Sequence, residues 1–161
     1  MILHAAAFDE LSPATLYALL RLRVQVFVVE QHCPYQDLDG RDTEPGTRHL
    51  WLDRDGEPLA YLRIVDEPDG GVRIGRVCVS PAARGKRLAE RLMREALDVT
   101  PLPVVLDAQS YLTRFYERLG FTATGPQFVE DGIPHVPMRL DDRGAPTAAP
   151  PPAPRPSAAD R

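Results

Sequence analysis

The segment from residue 72 to residue 97 restricts the possible folds more than any other part of this sequence. Its first eight residues are rich in β-branched side chains and form two alternating sets: Val72, Ile74, Arg76 and Cys78 against Arg73, Gly75, Val77 and Val79. This period of two predicts a strand, which Ser80-Pro81 ends. Leucines and alanines then recur at helical spacing over 88–97, and a short apolar run follows at 104–106. The segment therefore predicts a strand, a helix and a second, buried strand in succession.

The same patterns predict further elements on both sides of this segment. The expected elements are a strand over 2–8, a helix of about four turns from Ser12-Pro13 to Phe27, a loop or short helix over 34–46, strands over 49–53 and 58–65, a helix over 112–119, and late strands over 121–124, 127–130 and 135–140. This order predicts an α/β (α+β) fold, in which a mixed central sheet of six to seven strands is flanked by helices on both faces.

Composition changes sharply near the C-terminus. Residues 143–161 hold six Pro, six Ala and no large apolar side chain, so we expect a disordered tail after a single domain over 1–142. The tail carries three Arg and one Asp, so the domain has a net charge of −6 against −4 for the whole chain. An acidic domain argues against binding to nucleic acid and favours cationic substrates.

Several other classes of protein are disfavoured. No apolar run approaches the ~20 residues that cross a bilayer, and an acid at Asp9 without a preceding basic region makes a poor signal peptide. We therefore expect a cytoplasmic protein without a membrane partner. Two cysteines and four scattered histidines show no metal-ligand spacing, so no metal is predicted.

A cationic turn stands between the central strand and its helix. Arg84, Lys86 and Arg87 surround Gly85 at the start of the helix, where free backbone amides and the helix dipole favour an anion. An anion of high charge density would offset the repulsion between these cations and the dipole. A solvated basic turn that pairs with Glu90 explains the pattern equally well from physics alone.

Four motifs in register resemble those of one enzyme superfamily, the GCN5-related N-acetyltransferases (GNAT). The turn resembles their acetyl-CoA motif, Val77-x-Val79-x-Pro81-x-x-Arg84-Gly85-Lys86-x-Leu88-Ala89, and residues 115–121 resemble their FYxxxGF segment. Residues 23–42 and 130–135 are similar to the ElaA-type subfamily. The similarity spans about residues 10 to 140.

The resemblance implies the GNAT fold and transfer of the acetyl group of acetyl-CoA to a primary amine by direct nucleophilic attack. The residues implied to contact the cosubstrate are Val77, Cys78 and Val79 at the strand end, the amides of Arg84, Gly85, Lys86, Arg87, Leu88 and Ala89 around the pyrophosphate, and Gln109 on the pantetheine. The alternative is a catalytically inactive acyl-CoA-binding sensor or interaction module. The amine acceptor stays open, as does the choice between monomer and homodimer, although dimers are common among relatives.

Three residues are candidates for proton transfer. Tyr116 matches the family's general acid, which protonates the departing thiolate, although its apolar helical face also suits simple core packing. Glu30 and His135 are candidates for the base that deprotonates the amine and for contacts with the acceptor.

The acidic loop after the first helix has two interpretations. Asp37, Asp39 and Asp42 are expected either to line a mouth that attracts a cationic amine or, taken one by one, to be solvated surface residues. His49 lies on a predicted strand, and we expect it to be structural.

One position departs from the family pattern RGxGxG/A. Arg87 stands where relatives have a glycine, which would let the backbone approach a phosphate without a Cβ in the way. An arginine is tolerable here if the position has ordinary helical backbone angles and an outward side chain, and we then expect Arg87 to add a charged contact to CoA rather than to abolish binding.

Overall fold

A single mixed sheet organises the part of the chain that the structure describes. The computed structural model describes residues 1–144, so most of the predicted tail at 143–161 lies outside the described residues. The strands are β1 (Ile2–Ala6), β2 (Arg48–Arg54), β3 (Glu57–Asp66), β4 (Val72–Val79), β5 (Val104–Gln109), β6 (Thr122–Ala123), β7 (Phe128–Glu130) and β8 (Ile133–Leu140). Their order is β1-β2-β3-β4-β5-β8-β6, with β7 paired to β8. Within this range the sheet has eight strands rather than six to seven, because the short strands β6 and β7 both join β8.

Three α-helices connect the strands: α1 (Pro13–Val24), α2 (Leu88–Val99) and α3 (Thr113–Arg118). The first begins where the sequence predicts, because the Ser12 side chain accepts a hydrogen bond from the Thr15 amide at 3.1 Å and Pro13 occupies the first helical position. It continues beyond the predicted end at Phe27 as a π-helical segment, Gln25–Glu30. Wide turns of this kind are frequent at functional sites.

The helices cover both faces of the sheet, as predicted. On one face, Leu19, Leu22 and Val26 from α1 and the following segment pack against Tyr61 of β3. On the opposite face, α2 buries Leu92 and Met93 completely, together with apolar residues of β2, β3 and β5. The sheet is therefore the middle of three layers, and its strand ends are free to form a site.

Strands β4 and β5 are paired only at their beginnings. They run parallel and share two residue pairs, Val72 with Val104 and Arg73 with Val105. By contrast, β5 pairs with β8 over its full length of six residues. The two parallel strands therefore diverge toward their carboxyl ends and leave a cleft in the middle of the sheet.

A β-bulge interrupts β4 just after this divergence. Tyr61 of β3 pairs with Cys78 and Arg63 pairs with Gly75, so one residue of β3 faces two of β4, Arg76 and Val77. Arg76 has a left-handed backbone, with φ of +56°. Bulges of this kind bend the strand that carries the additional residue.

The bulge corrects the predicted alternation of β4. Ile74 packs in the core beneath α2, but Cys78 packs in the core beneath α1, although the sequence pattern places both on one face. Val77 and Val79 pack on the α2 side instead. The additional residue shifts the alternation of side chains along β4 by one position. Every side chain of β4 after Arg76 therefore lies on the face opposite to the predicted one.

Candidate active site

A cleft of about 760 Å³ opens where β4 and β5 diverge. Its walls come from these two strands, from the segment after α1, from α3 and from the turn between β7 and β8. Most of the residues singled out from the sequence line it: Glu30, Asp39, Val77, Cys78, Val79, Arg84, Ala89, Gln109, Tyr116 and His135. The remaining ones do not: Asp37, Gly85, Lys86, Arg87 and Leu88. The fold thus brings distant motifs into one cavity.

The turn before α2 keeps a glycine-like backbone where the sequence has an arginine. The helix begins at Leu88, and Arg87 is its N-cap residue, with φ of +57° and ψ of +30°. Ordinary helical backbone angles, the condition under which an arginine is expected to be tolerated here, are therefore not observed at Arg87. A side chain in this left-handed region costs about 1–2 kcal/mol, which shows that the turn geometry is imposed by its surroundings.

The amides of this turn remain available to an anion. In the described part of the chain, the backbone amides of Ala83 and Arg84 donate hydrogen bonds within the loop. The next amide that donates such a bond is that of Arg91, to the Arg87 carbonyl. The first amides of a helix have no acceptor within the helix. A Cβ at Gly85 would meet open space, so the cradle is accessible from solvent. This arrangement fits a phosphate group.

Both arginines of the turn make ion pairs. Arg87 Nη2 lies 2.7 Å from Glu90 Oε2, and its side chain is 80% exposed, so it points outward as expected. Arg84 Nη2 donates to Glu30 Oε1 at 2.7 Å, across the mouth of the cleft. The carboxylate of Glu30 is therefore neutralised by a neighbouring cation.

Residues 30–33 join three parts of the cleft. In addition to the Glu30–Arg84 pair, Gln31 Oε1 accepts from Gln109 Nε2 at 3.2 Å at the end of β5. Cys33 Sγ donates to the Asp131 carbonyl at 3.3 Å in the turn between β7 and β8. This segment spans the opening between the diverging strands.

Tyr116 lies in the core and also lines the cleft. Its ring is buried and makes edge-to-face contacts with Phe115 at 5.0 Å and Phe121 at 6.0 Å, so it belongs to the core. Burial raises the pKa of Tyr116 well above its ordinary value of 10, because the phenolate would lose its hydration. The hydroxyl therefore holds its proton at neutral pH.

His135 has a defined tautomer. Its Nδ1 lies 2.7 Å from the Ile133 carbonyl oxygen, and a carbonyl can only accept, so Nδ1 carries the proton in the neutral ring. The ring stacks on Phe128 at a centroid distance of 5.7 Å. Nε2 is consequently the basic nitrogen, on a ring that lines the cleft opposite Gln109 in the sheet register.

The acidic loop folds into a network with arginines rather than into a solvated surface. Arg23 of α1 contacts Asp37 Oδ2 at 3.0 Å and Asp42 Oδ1 at 2.7 Å, and all three side chains are buried. Arg63 of β3 holds Asp39 at 2.7 Å and also contacts Asp42 at 3.0 Å. The solvated-surface interpretation is therefore wrong for Asp37 and Asp42, which are buried, whereas Asp39 stays exposed although it is paired. Their charges are compensated within the protein, which weakens any attraction for a cation in solution.

The network changes the protonation of its members. Burial by itself would raise the pKa of Asp42, but hydrogen bonds and charge from Arg23 and Arg63 outweigh it, and the pKa is lowered. For Asp39, burial again opposes the hydrogen bonds from Arg63 and the Arg41 amide, and its pKa falls well below the usual range. Both carboxylates are ionised at neutral pH.

Two further groups on the α1 face are structural. His49 Nδ1 lies 2.7 Å from the Tyr61 hydroxyl and Nε2 lies 3.0 Å from the Asp42 carbonyl oxygen. Burial lowers the pKa of His49, so the ring is held neutral in this network, as expected for a structural histidine. Burial also raises the pKa of the Cys78 thiol to about 12, which keeps it un-ionised in the cleft wall.

Residues 1–144 contain no group of three or more His, Cys, Asp or Glu side chains placed to hold a metal ion. In the same range, no helix has both the length and the apolar character needed to cross a bilayer.

The diverging strands and amide cradle agree with what comparison with known proteins finds. Residues 11–141 match the family described as "Acetyltransferase (GNAT) domain". The chain belongs to the GNAT acetyltransferase family. It is 51% identical over 134 residues to UPF0039 protein Rv2851c of Mycobacterium tuberculosis, covering 80% of this chain and 86% of that protein. It is 46% identical over 137 residues to protein ElaA of Escherichia coli, covering 81% and 90% respectively. The predicted ElaA-type resemblance is confirmed.

Solved structures share the fold of this GNAT domain. An acyl-CoA N-acyltransferase from Pseudomonas aeruginosa superposes with a TM-score of 0.81 at 46% identity, covering 86% of this chain and 99% of that one. The crystal structure of Escherichia coli ElaA gives 0.81 at 41% identity, covering 87% and 99%. An aminoglycoside 6'-N-acetyltransferase solved in complex with coenzyme A shares the fold at 16% identity and a TM-score of 0.64.

Sequence reasoning missed several residues of the GNAT cleft. Gln31, Tyr35 and Arg63 line it, but their spacing carries no recognisable pattern. Gln31 and Arg63 contact Gln109 and Asp39, which lie 78 and 24 residues away along the chain. Arg76 did carry a signal, because a charged residue in the apolar set of β4 marks a fault in the alternation. That fault is the bulge.

Proposed function

We propose that this GNAT protein transfers the acetyl group of acetyl-CoA to a primary amine by direct attack in a ternary complex. The observation that carries the proposal is the cleft between β4 and β5, which has an amide cradle at one end and Tyr116 and His135 on its walls. The GNAT relative that binds coenzyme A supports an acyl-CoA cosubstrate. The acceptor is a small molecule or a protein amine.

In this proposal the cosubstrate extends along the free edge of β4. Backbone groups of Val77, Cys78 and Val79 hydrogen-bond the pantetheine arm, and one amide polarises the thioester carbonyl. Gln109 adds a side-chain contact from β5. The pyrophosphate occupies the cradle formed by the amides of residues 85–89, where Arg87 exchanges part of its pairing with Glu90 for a contact to phosphate.

The proposed chemistry uses two proton-transfer groups. The nitrogen lone pair of the neutral amine forms a bond to the thioester carbon, and the carbonyl electrons move to oxygen. His135 Nε2 accepts the proton that the nitrogen loses, which its fixed tautomer permits. When the tetrahedral intermediate collapses, the carbon–sulfur bond breaks and Tyr116 gives its proton to the thiolate. Burial keeps Tyr116 protonated at neutral pH, so its hydroxyl carries the proton that this step needs.

His135 is a better base than Glu30 in this geometry. Glu30 Oε1 is held in an ion pair by Arg84 Nη2 at 2.7 Å, so this oxygen is occupied, whereas His135 Nε2 is left free by the hydrogen bond at Nδ1. We assign Glu30 to the acceptor side of the cleft, together with Asp39. Asp37 supports that wall from within the network rather than through direct contact.

The decisive experiment is release of free thiol from acetyl-CoA with a panel of amines. We expect amine-dependent release, with a kcat roughly 10²-fold lower in Tyr116→Phe and in His135→Gln because each loses a proton-transfer group. Tyr17→Phe, which changes an exposed tyrosine on α1, is the matched control and retains activity.

Binding distinguishes the proposal from its alternative. Tight CoA binding by calorimetry without thiol release for any amine would support an inactive acyl-CoA-binding module. Wild-type activity in Tyr116→Phe would contradict the assignment of the acid.

A further inference from the structure

We propose that Arg76 is a positioning residue, whose side chain clamps the β4 bulge and thereby aims the backbone amides at Val77 and Cys78 toward the reacting carbonyl. The inference rests on the proposed acetyl transfer. It concerns what holds β4, the strand that bears the proposed oxyanion donor, in place. The proposed amide contacts to the cosubstrate do not explain this.

The backbone at Arg76 is unusual for its residue type. It adopts a φ of +56° within a strand, a conformation that glycine adopts without steric conflict and that other residues rarely do. The position lies three residues after the last pair between β4 and β5, so β5 does not support it. A side chain that persists in such a conformation is held there by its surroundings.

Those surroundings are the contacts of the Arg76 guanidinium with the acidic loop. Its Nε lies 2.9 Å from Asp37 Oδ1, and its Nη2 donates to the Asp37 carbonyl at 3.0 Å. Nη2 also lies 3.4 Å from Asp39 Oδ2, and the guanidinium stacks over the Tyr35 ring at 5.4 Å. The guanidinium is thus held on three sides.

The loop that holds Arg76 is itself anchored. Arg23 of α1 binds the same Asp37 carboxylate at 3.0 Å through Nε and the same carbonyl at 3.0 Å through Nη2. The Tyr35 hydroxyl donates to Asp37 Oδ1. Asp37 therefore ties the buried end of α1 to the bulge through matched charges and the hydrogen bond from Arg76 Nη2, while the buried Arg76 Nε has an ion-pair contact but no hydrogen-bond partner among the described residues.

A clamp at this place acts on the transition state more than on binding. The bulge fixes which way the following amides point, and a donor for an oxyanion must be aimed at the position that the charged oxygen will occupy. The pyrophosphate cradle lies beyond the end of β4 and does not depend on the bulge for its hydrogen bonds. Loss of the clamp should therefore lower kcat more than it raises the KM for acetyl-CoA, because the pyrophosphate cradle is kept while the amides of Val77 and Cys78 lose their aim.

The test uses Arg76→Gly, which permits the left-handed φ while removing the clamp. We expect kcat to fall at least tenfold and the KM for acetyl-CoA to change less than threefold. In two-dimensional NMR, the amide resonances of Val77 and Cys78 should shift or broaden. Asp55→Gly is the matched control, because it places glycine at another left-handed residue, in the β2–β3 turn, whose residues do not line the cleft. It should retain the wild-type kcat.

Each outcome decides one question. A wild-type kcat in Arg76→Gly, or an equal fall in Asp55→Gly, would overturn the positioning role. Arg76→Lys keeps the charge but not the forked contacts, so it should give an intermediate kcat. If Arg76→Gly, Arg76→Lys and Asp55→Gly lose kcat and folded protein to the same extent, Arg76 is merely a structural residue. If the wild type itself acetylates no amine, the proposed function fails, and the amide resonances of β4 still report whether Arg76 holds the bulge.

Discussion

The acidic loop at residues 37–42 and the cationic turn at residues 84–87 are both clusters of like charge in the sequence, yet they fold into opposite environments. The aspartates of the loop are enclosed by Arg23, Arg63 and Arg76. The cations of the turn stay at the surface, where Arg87 has only the exposed side of Glu90 as a partner.

The difference teaches what each cluster contributes. Charges that are buried together hold elements in register, because removing one partner leaves the other unpaired in a poorly hydrated place. Exposed charges contribute little to stability and remain free to meet a ligand. We therefore propose a chiefly structural role for the acidic loop and a chiefly ligand-binding role for the cationic turn, and each can be tested by substitution.

The largest expected effect comes from Arg23→Ala. This substitution leaves Asp37 and Asp42 buried without their main cation, so we expect the free energy of unfolding to fall by about 3–5 kcal/mol. Urea denaturation followed by circular dichroism measures it. Arg94→Ala removes an exposed arginine that pairs with Glu90 and should cost less than about 1 kcal/mol.

Similar losses in the two variants would show that the loop network is no stronger than a surface pair. Arg23→Lys keeps a charge in place and should lie between them, because lysine lacks the fork that reaches both aspartates.

A smaller effect is expected in the pH dependence of stability. The pKa of Asp42 is lowered in the folded state. Its stabilising contribution is therefore complete above the pKa of about 4 that it has in the unfolded state, and it is lost as the pH falls through the pKa of the folded state. Unfolding free energies measured from pH 6 to pH 3 should therefore fall less steeply in Asp42→Asn than in the wild type. Asp141→Asn, at an exposed pair with Arg139, should keep the wild-type slope. Parallel slopes for wild type and Asp42→Asn would refute the assignment.

The smallest effect concerns the turn. Arg87→Gly keeps the left-handed conformation and removes only the side chain, so acetyl-CoA should bind roughly threefold to fivefold more weakly if Arg87 contacts phosphate. Calorimetry of acetyl-CoA binding measures the constant, with Arg94→Ala as a control that also breaks a pair with Glu90. An unchanged or tighter constant in Arg87→Gly would show that the glycine of the family pattern is the better residue here.

Much of the fold follows from local patterns. The Ser12-Pro13 start of α1, the start of α2 at Leu88 and all eight strands lie where capping residues, helical spacing and alternation place them, since these signals are short-range. The bulge at Arg76 does not follow, because it depends on the pairing of β4 with β3. The π-helical continuation to Glu30 is likewise not encoded in any local spacing that we can identify.

The candidate site likewise has a part that the sequence predicts and a part that it does not. The motifs around Gly85, Tyr116 and His135 could be singled out along the chain, because each has its own residue pattern. Their meeting in one cleft, the pairing of Glu30 with Arg84 and the tautomer of His135 involve partners that lie on other elements or in a particular turn.

The sequence by itself determined the succession of strands and helices and the motifs of a GNAT domain. Both depend on spacings of two to four residues and on short runs of particular residue types. Only the tertiary structure decided which charges are neutralised. Asp37 and Arg76 are 39 positions apart along the chain. They meet because α1 and β4 share one core, which brings the loop that follows α1 next to β4. A charge acquires its role from its dielectric surroundings and its partner, and both are set by packing rather than by neighbours along the chain.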